Sequence, residues 1–104
     1  LGDAVIENII VYYLFRRFPN EPEGFLSQLK VNFVNRITLG HLAKVIGLGE
    51  YLIVSKTLDD KLSARYEDKI LCDVFEAFIG ALSLETTFEE IKNFLERLMH
   101  HIKL

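Results

Sequence analysis

Two carboxylates sit in a stretch where a water-avoiding segment has no ordinary use for them. Residues 70–82 read ILCDVFEAFIGAL, and their only charged members are Asp73 and Glu76. On a helix the i, i+3 spacing puts both on one face, with β-carbons roughly 5–6 Å apart. Like charges that close, partly withdrawn from water, raise each other's pKa or repel unless a cation holds them. Hard oxygen donors suit magnesium or manganese, and ligation would offset the desolvation cost. Pairing with Lys or Arg, or a helix face turned to solvent, would explain the same two residues, and from this stretch alone those readings stay open.

A second acidic group stands at the start of the chain, where Asp3 and Glu7 are i, i+4 neighbours with Asn8 beside them. A carboxylate in a first helical turn is ordinarily a cap or dipole partner, worth about 0.3–1 kcal/mol. Glu7 reads as a solvated or edge residue rather than a ligand. Other chemistries find less support. Gly47 and Gly49 fall in a helix-to-helix turn, not in a phosphate-binding loop. No Cys/His pattern for zinc is present. Glu96 and His100 miss the Glu-x-x-His spacing of a di-iron bundle. His100 and His101 read as a solvated helix end, and His41 is far in sequence from Cys72 and the serines, which leaves nucleophilic catalysis weakly supported.

The elements that must position these residues are helical throughout. Residues 1–18 carry a helical period through Val5, Ile9, Tyr12 and Tyr13, with Arg16 and Arg17 at the C-terminal end, and Pro19-Asn20 stops it. Its first residue is already apolar and uncapped, so the chain is expected to begin inside a motif whose earlier helices lie upstream. After the turn at 21–24, a short amphipathic helix is expected over 25–36 with Leu26, Leu29, Phe33 and Val34 inward. Thr38 is the expected cap of a helix over 39–46 that Gly47 ends, and Gly49 marks a turn before 51–54. Residues 55–68 are the most polar and read as a loop whose Lys56, Lys61 and Arg65 could touch phosphate. Thr87 and Glu90 form an S/T-x-x-E start signal for a last helix with Ile91, Phe94, Leu95 and Leu98 inward. The helix at 70–82, apolar at nearly every angle, is expected to be surrounded by the others. No segment alternates strictly, so the fold class is all-α.

Composition sets the remaining bounds. The chain of 104 residues, half of them hydrophobic and two of them proline, reads as one globular domain spanning 1–104. It contains no apolar run long enough to cross a bilayer and begins with no signal peptide, so no membrane partner is expected. A lone cysteine excludes an intrachain disulfide and suits a reducing, intracellular setting, cytoplasm or nucleus. The net charge of −3 is not the footprint of a protein that grips nucleic acid by bulk charge.

Six blocks, in order, resemble the ribonuclease III catalytic domain. They are Leu1-Gly2-Asp3-Ala4-Val5; Arg17-Phe18-Pro19; Glu23-Gly24-Phe25-Leu26-Ser27 with Leu29-Lys30; Val34-Asn35 with Thr38-Leu39; Gly47-Leu48-Gly49-Glu50-Tyr51-Leu52; and residues 70–81. The likeness runs from the start of the chain through the helix at 70–82, and the last helix fits that domain's closing one. The resemblance implies a helical endonuclease that cuts double-stranded RNA with magnesium, for which manganese can substitute. Its metal site has four carboxylates. Asp3 matches the Asp of the first signature, and Asp73 and Glu76 match the D-x-x-E pair of the later helix. The fourth, a Glu four positions before Asp3, falls upstream of Leu1. Metal ions roughly 3.5–4 Å apart would activate water and clamp the phosphate. Lys69 resembles the Dicer-type arrangement, in which a lysine precedes this block, and could neutralise the scissile phosphate or simply offset Glu67 and Asp68. The resemblance further implies a homodimer, with the exposed apolar residues of the first helix at its interface, and ends with two-nucleotide 3′ overhangs. A-form RNA read by shape and 2′-hydroxyls reconciles this function with the acidic charge. Silent relatives that serve as structural or RNA-binding subunits are the alternative reading, and a helical protein-interaction module is a third.

Overall fold

The computed structural model describes residues 1–48 and 60–100. Within them the chain forms five helices: α1 (Gly2–Arg17), α2 (Glu23–Phe33), α3 (Arg36–Val45), α4 (Asp60–Glu85) and α5 (Phe88–Met99). The described residues contain no strand, and the fold class is all-α. The expected Gly49 turn, the segment 51–54, Lys56 and His101 lie outside the described residues.

The 26 residues of α4 make it the axis of the domain, and α1, α3 and α5 all pack against it while α2 packs on α1 and α3. Its inner face is Leu71, Cys72, Phe75 and Ile79, all buried, a spacing of i, i+1, i+4 and i+8 that turns one stripe inward. Facing it, α1 contributes Ile6, Ile9, Ile10 and Leu14, α3 contributes Leu39, Leu42 and Ala43, and α5 contributes Ile91, Leu95, Leu98 and Met99. Removing side chains of this size from water stabilises the fold by about 1.5–3 kcal/mol each before the entropy of ordering is counted.

The α1 stripe is rotated from the expected one. Val5 and Tyr13 are half-buried and Tyr12 is exposed. Tyr12 lies at the α1–α5 seam, its ring under the Arg16 guanidinium at 5.4 Å and the Lys92 ammonium at 5.5 Å, where an aromatic face can hold cations without leaving water. The helix at 70–82 is likewise not enclosed on all sides: Asp73, Ala77 and Ala81 are exposed in a row at i, i+4 and i+8.

Two boundaries also differ from the sequence reading. Residues 60–68 are helix, not loop, because Lys, Leu, Ala, Arg and Glu are good helix formers; Lys61 and Arg65 face outward while Ser63 is buried. The second helix runs from Glu23 to Phe33 instead of 25–36, and Asn35 explains its end. Asn35 is extended; its Nδ2 donates to the Val31 and Asn32 carbonyls at 3.0 Å each, while its Oδ1 accepts from the Thr38 amide at 2.9 Å. One side chain therefore closes α2 and caps α3. Thr38, the expected cap, sits inside α3 and its hydroxyl donates to the Asn32 carbonyl at 3.1 Å. The far end of α3 follows expectation. Gly47 takes φ 84°, and the Leu48 amide reaches back to the Ala43 carbonyl at 2.9 Å. Thr87 caps α5 through the Glu90 amide, and the Glu90 carboxylate accepts from the Thr86 hydroxyl.

Candidate metal centre

The centre is built on a crossing that only glycine permits. A β-carbon on Gly2 would stand 1.7 Å from the Glu76 carbonyl oxygen, so the backbone of α1's first turn lies directly against α4. One turn further along α4, a β-carbon on Gly80 would stand 3.3 Å from the Gly2 nitrogen. Any larger residue at Gly2 must push the two helices apart. Through this contact Asp3, the next residue of α1, and Glu76 come to line one open depression together with Ala77 and Gly80.

On α4 the acids sit at the border between core and solvent. Asp73 is exposed, Glu76 is half-buried, and Cys72 beside them is buried. The Cys72 sulfur and one carboxylate oxygen each from Asp73 and Glu76 lie within 4.8 Å of one another. The Cys72 thiol donates to Glu76 Oε1 at 3.6 Å. Asp3 stands outside this three-donor group, and its Oδ1 accepts from the Ala4 amide at 2.9 Å. The structure thus gathers Asp73 and Glu76 closely and brings Asp3 to the rim of the depression that Glu76 shares.

Basic partners do not account for the pair. Among the described residues the side-chain ion pairs are Arg16–Glu96, Lys30–Glu7, Lys44–Glu67 and Lys92–Glu89, none of which uses Asp73 or Glu76. Glu7 is tied to Lys30 between α1 and α2, in keeping with its reading as an edge residue. For Asp73 the solvent-facing reading holds. Lys69 is exposed one turn before Asp73, and the helical course of 60–68 places Lys61, Arg65 and Lys69 at successive four-residue steps along the outer surface of α4, all exposed.

Cys72 and Arg36 are the residues that sequence reasoning missed. Burial pushes the Cys72 thiol up to about 11, and the negative charge of Glu76, the hydrogen bond to it and the charge of Asp73 act in the same direction. Arg36, the first residue of α3, opposes them. The i, i+4 relation of Cys72 to Glu76 was visible in the sequence. The approach of Arg36 was not, because it depends on how α3 packs on α4.

Comparison with known proteins fits this arrangement. The Ribonuclease III domain profile matches residues 1–87. Ribonuclease 3 of Streptococcus equi subsp. zooepidemicus is 38% identical over 99 residues, covering 95% of this chain and 43% of that protein. Ribonuclease 3 of Aliarcobacter butzleri is also 38% identical over 99 residues, covering 95% of this chain and 44% of its own length. The chain thus spans about two fifths of the length of these curated relatives. Among solved structures, the ribonuclease III nuclease domain of Campylobacter jejuni, described for flexibility in a region involved in dimer formation, superposes with a TM-score of 0.78 at 35% identity, covering 95% of this chain and 68% of that one. Dicer from Pichia stipitis superposes with a TM-score of 0.77 at 33% identity, covering 96% of this chain and 45% of that one. The profile match spans the whole of α1 and α4, and with the relatives and the superposed nuclease domain it shows that the chain belongs to the ribonuclease III family.

Proposed function

We propose that this chain is the catalytic domain of an intracellular endoribonuclease that hydrolyses phosphodiester bonds of double-stranded RNA with a divalent cation, magnesium foremost. On this reading the products carry 5′-phosphates and two-nucleotide 3′ overhangs. The observation that carries it is the pair Asp73 and Glu76, set side by side at the solvent border with no basic partner among the described residues, in a family of ribonucleases. The donor set fits the ion: carboxylate oxygens are what magnesium and manganese accept, and an open site leaves room for water and phosphate.

Asp73 and Glu76 would hold the cation, with Asp3 reaching in from α1 across the shared depression. Bound there, divalent ions supply a water acidic enough to attack near neutral pH and positive charge for the departing 3′ oxygen. The chain's own residues do the rest. Gly2 and Gly80 keep the α1 and α4 backbones in contact so that the acids from two elements face one phosphate. Lys69, Arg65 and Lys61 meet the RNA backbone along the outer surface of α4, with Lys69 beside the scissile phosphate. Their row supplies local positive charge that the net charge conceals.

The partner copy would seat on α1 and α2. Val11, Phe15, Leu26 and Lys30 line a groove there, and Phe15 and Val11 are exposed at 62% and 44%. Apolar residues this open suit a self-complementary interface, and a dimer would present two centres to opposite strands. The described helices include none long and apolar enough to cross a membrane.

The test is cation binding followed by cleavage. Manganese titration of the intact protein, with assay on long duplex RNA, should show binding and cutting that Asp73→Asn and Glu76→Gln both remove. A protein that binds neither manganese nor magnesium and leaves duplex RNA whole would be a silent relative.

A further inference from the structure

We propose that Tyr66 is a specificity-determining residue of this nuclease, whose hydroxyl meets the 2′-hydroxyl of a ribose flanking the scissile phosphate and so separates RNA from DNA. The inference rests on the double-stranded RNA reading above and adds to that site a residue that touches neither the cation nor the reacting phosphate.

Tyr66 is 58% exposed, and its hydroxyl has no hydrogen-bond partner among the described residues. A large part of the ring therefore stays in water, beside a group that can both donate and accept. Its position on α4 is fixed relative to the centre. Tyr66, Lys69 and Asp73 stand at i, i+3 and i+7, which is a single stripe, and all three are exposed. Seven residues make two turns less about 20°, so Tyr66 lies nearly in line with Asp73 and roughly 10 Å along the axis from it. The intervening acids Glu67 and Asp68 are half-buried, with Glu67 paired to Lys44 of α3, so they stand off this stripe. A helical side chain leans toward the helix N-terminus, which carries the ring away from the acids and toward a neighbouring nucleotide instead of the reacting one.

A duplex keeps its bases paired, so a ring lying along it has no base to stack on. What A-form RNA offers instead is a wide, shallow minor groove lined by 2′-hydroxyls, each able to donate and to accept. A phenol can meet one of them with a hydrogen bond while its ring covers the edge of the sugar, whereas an ammonium group can only donate. With Lys69 on the backbone and Asp73 at the cation, Tyr66 would meet a ribose beside the cut. Such a contact tests the sugar and leaves base identity unread.

The intact protein is compared with Tyr66→Phe and Tyr66→Ala on duplex RNA, and on duplexes carrying a single 2′-deoxynucleotide placed in turn at each position around the cleavage site. Circular dichroism first confirms that each protein is folded. Loss of the phenol hydroxyl should raise KM by about threefold to tenfold with kcat held, because one bond to the bound duplex is removed and the cation is untouched. At one flanking position the 2′-deoxy substitution should cost the parent a similar factor and cost Tyr66→Phe nothing further, the signature of two groups joined by one bond. Manganese affinity should be the same in all three proteins. An unchanged KM in Tyr66→Phe, or a deoxy penalty as large in Tyr66→Phe as in the parent at every position, overturns the assignment while the nuclease reading stands. Should Tyr66→Ala fail to fold, Tyr66→Phe, which keeps the ring, decides. A parent that binds duplex RNA without cutting it removes the nuclease reading, and the same cycle is then read in binding affinities: coupling at one position supports the contact, and additivity at every position refutes it. A parent that neither binds nor cuts duplex RNA overturns both.

Discussion

The two long faces of α4 carry the same backbone and opposite duties. One presents Leu71, Phe75 and Ile79, each wholly buried, to α1, α3 and α5. The other presents Lys69, Asp73, Ala77 and Ala81 to solvent, with Glu76 and the buried Cys72 at the margin between them. A rotation of 100° per residue is all that separates them, so neighbours in sequence such as Asp73 and Phe75 differ completely in what their loss should do. The contrast implies that stability and chemistry can be removed independently from one helix.

The inner face should give the largest effect on folding. Phe75→Ala leaves a cavity at the meeting point of three helices and is expected to lower the unfolding free energy by about 3–5 kcal/mol in denaturant titration. A loss below about 1 kcal/mol would mean that the core closes up around the gap and that α4 is not the axis it is taken to be. The outer face should behave in the opposite way. Asp73→Asn or Glu76→Gln is expected to cut duplex cleavage at least about a hundredfold, since each withdraws a charged donor from the cation. The same changes relieve repulsion between two close carboxylates, so stability should hold within about 0.5 kcal/mol or rise slightly. Equal losses of folding and cleavage would erase the distinction between the faces.

Cys72, at the margin, tests where the boundary runs. Its thiol is pushed from 9.0 to about 11 by burial and by Glu76. Alkylation proceeds through the thiolate, so at pH 8, without added metal, the folded protein should react roughly a hundredfold more slowly than the same protein in denaturant. Comparable rates would place the sulfur on the solvent side.

How much of this contrast the sequence displayed depends on the range of the interactions involved. Asp73 and Glu76 stood out because charge inside an apolar run is a local anomaly, and Thr87 and Gly47 were legible because caps act over a few residues. The segment 60–68 was misread because polarity marks exposure, and an exposed helix face has the same composition as a loop. The meeting of Asp3 with Glu76 came only from the resemblance, because nothing near Gly2 in the chain reveals that its missing β-carbon makes room for α4. Asn35 was passed over in favour of Thr38 for a related reason: its value lies in serving two helix ends together, and that appears only when α2 stops at Phe33. Asn35→Ala should accordingly cost about 1–2 kcal/mol, the upper part of the range for a cap, against a few tenths for Thr38→Ser. Thermal melts that rank the two the other way would restore Thr38 as the organising residue.

The smallest expected effect is the one that asks whether the outer face touches RNA at all. Lys69 is exposed and takes part in none of the ion pairs found among the described residues, so Lys69→Ala should leave stability within about 0.5 kcal/mol. A lysine that neutralises one phosphate releases about one counterion when RNA binds. Its removal should therefore weaken duplex binding to a similar degree for every sequence and reduce the slope of log affinity against log salt by about one. Lys61→Ala and Arg65→Ala should each do the same if the row along α4 follows the backbone, and the triple variant should sum their slopes. If Lys69 alone lowers the cleavage rate while the salt slope is unchanged, its charge acts at the scissile phosphate during reaction rather than in holding the duplex. If neither quantity moves, Lys69 only balances Glu67 and Asp68, and the outer face of α4 meets RNA through its acids alone.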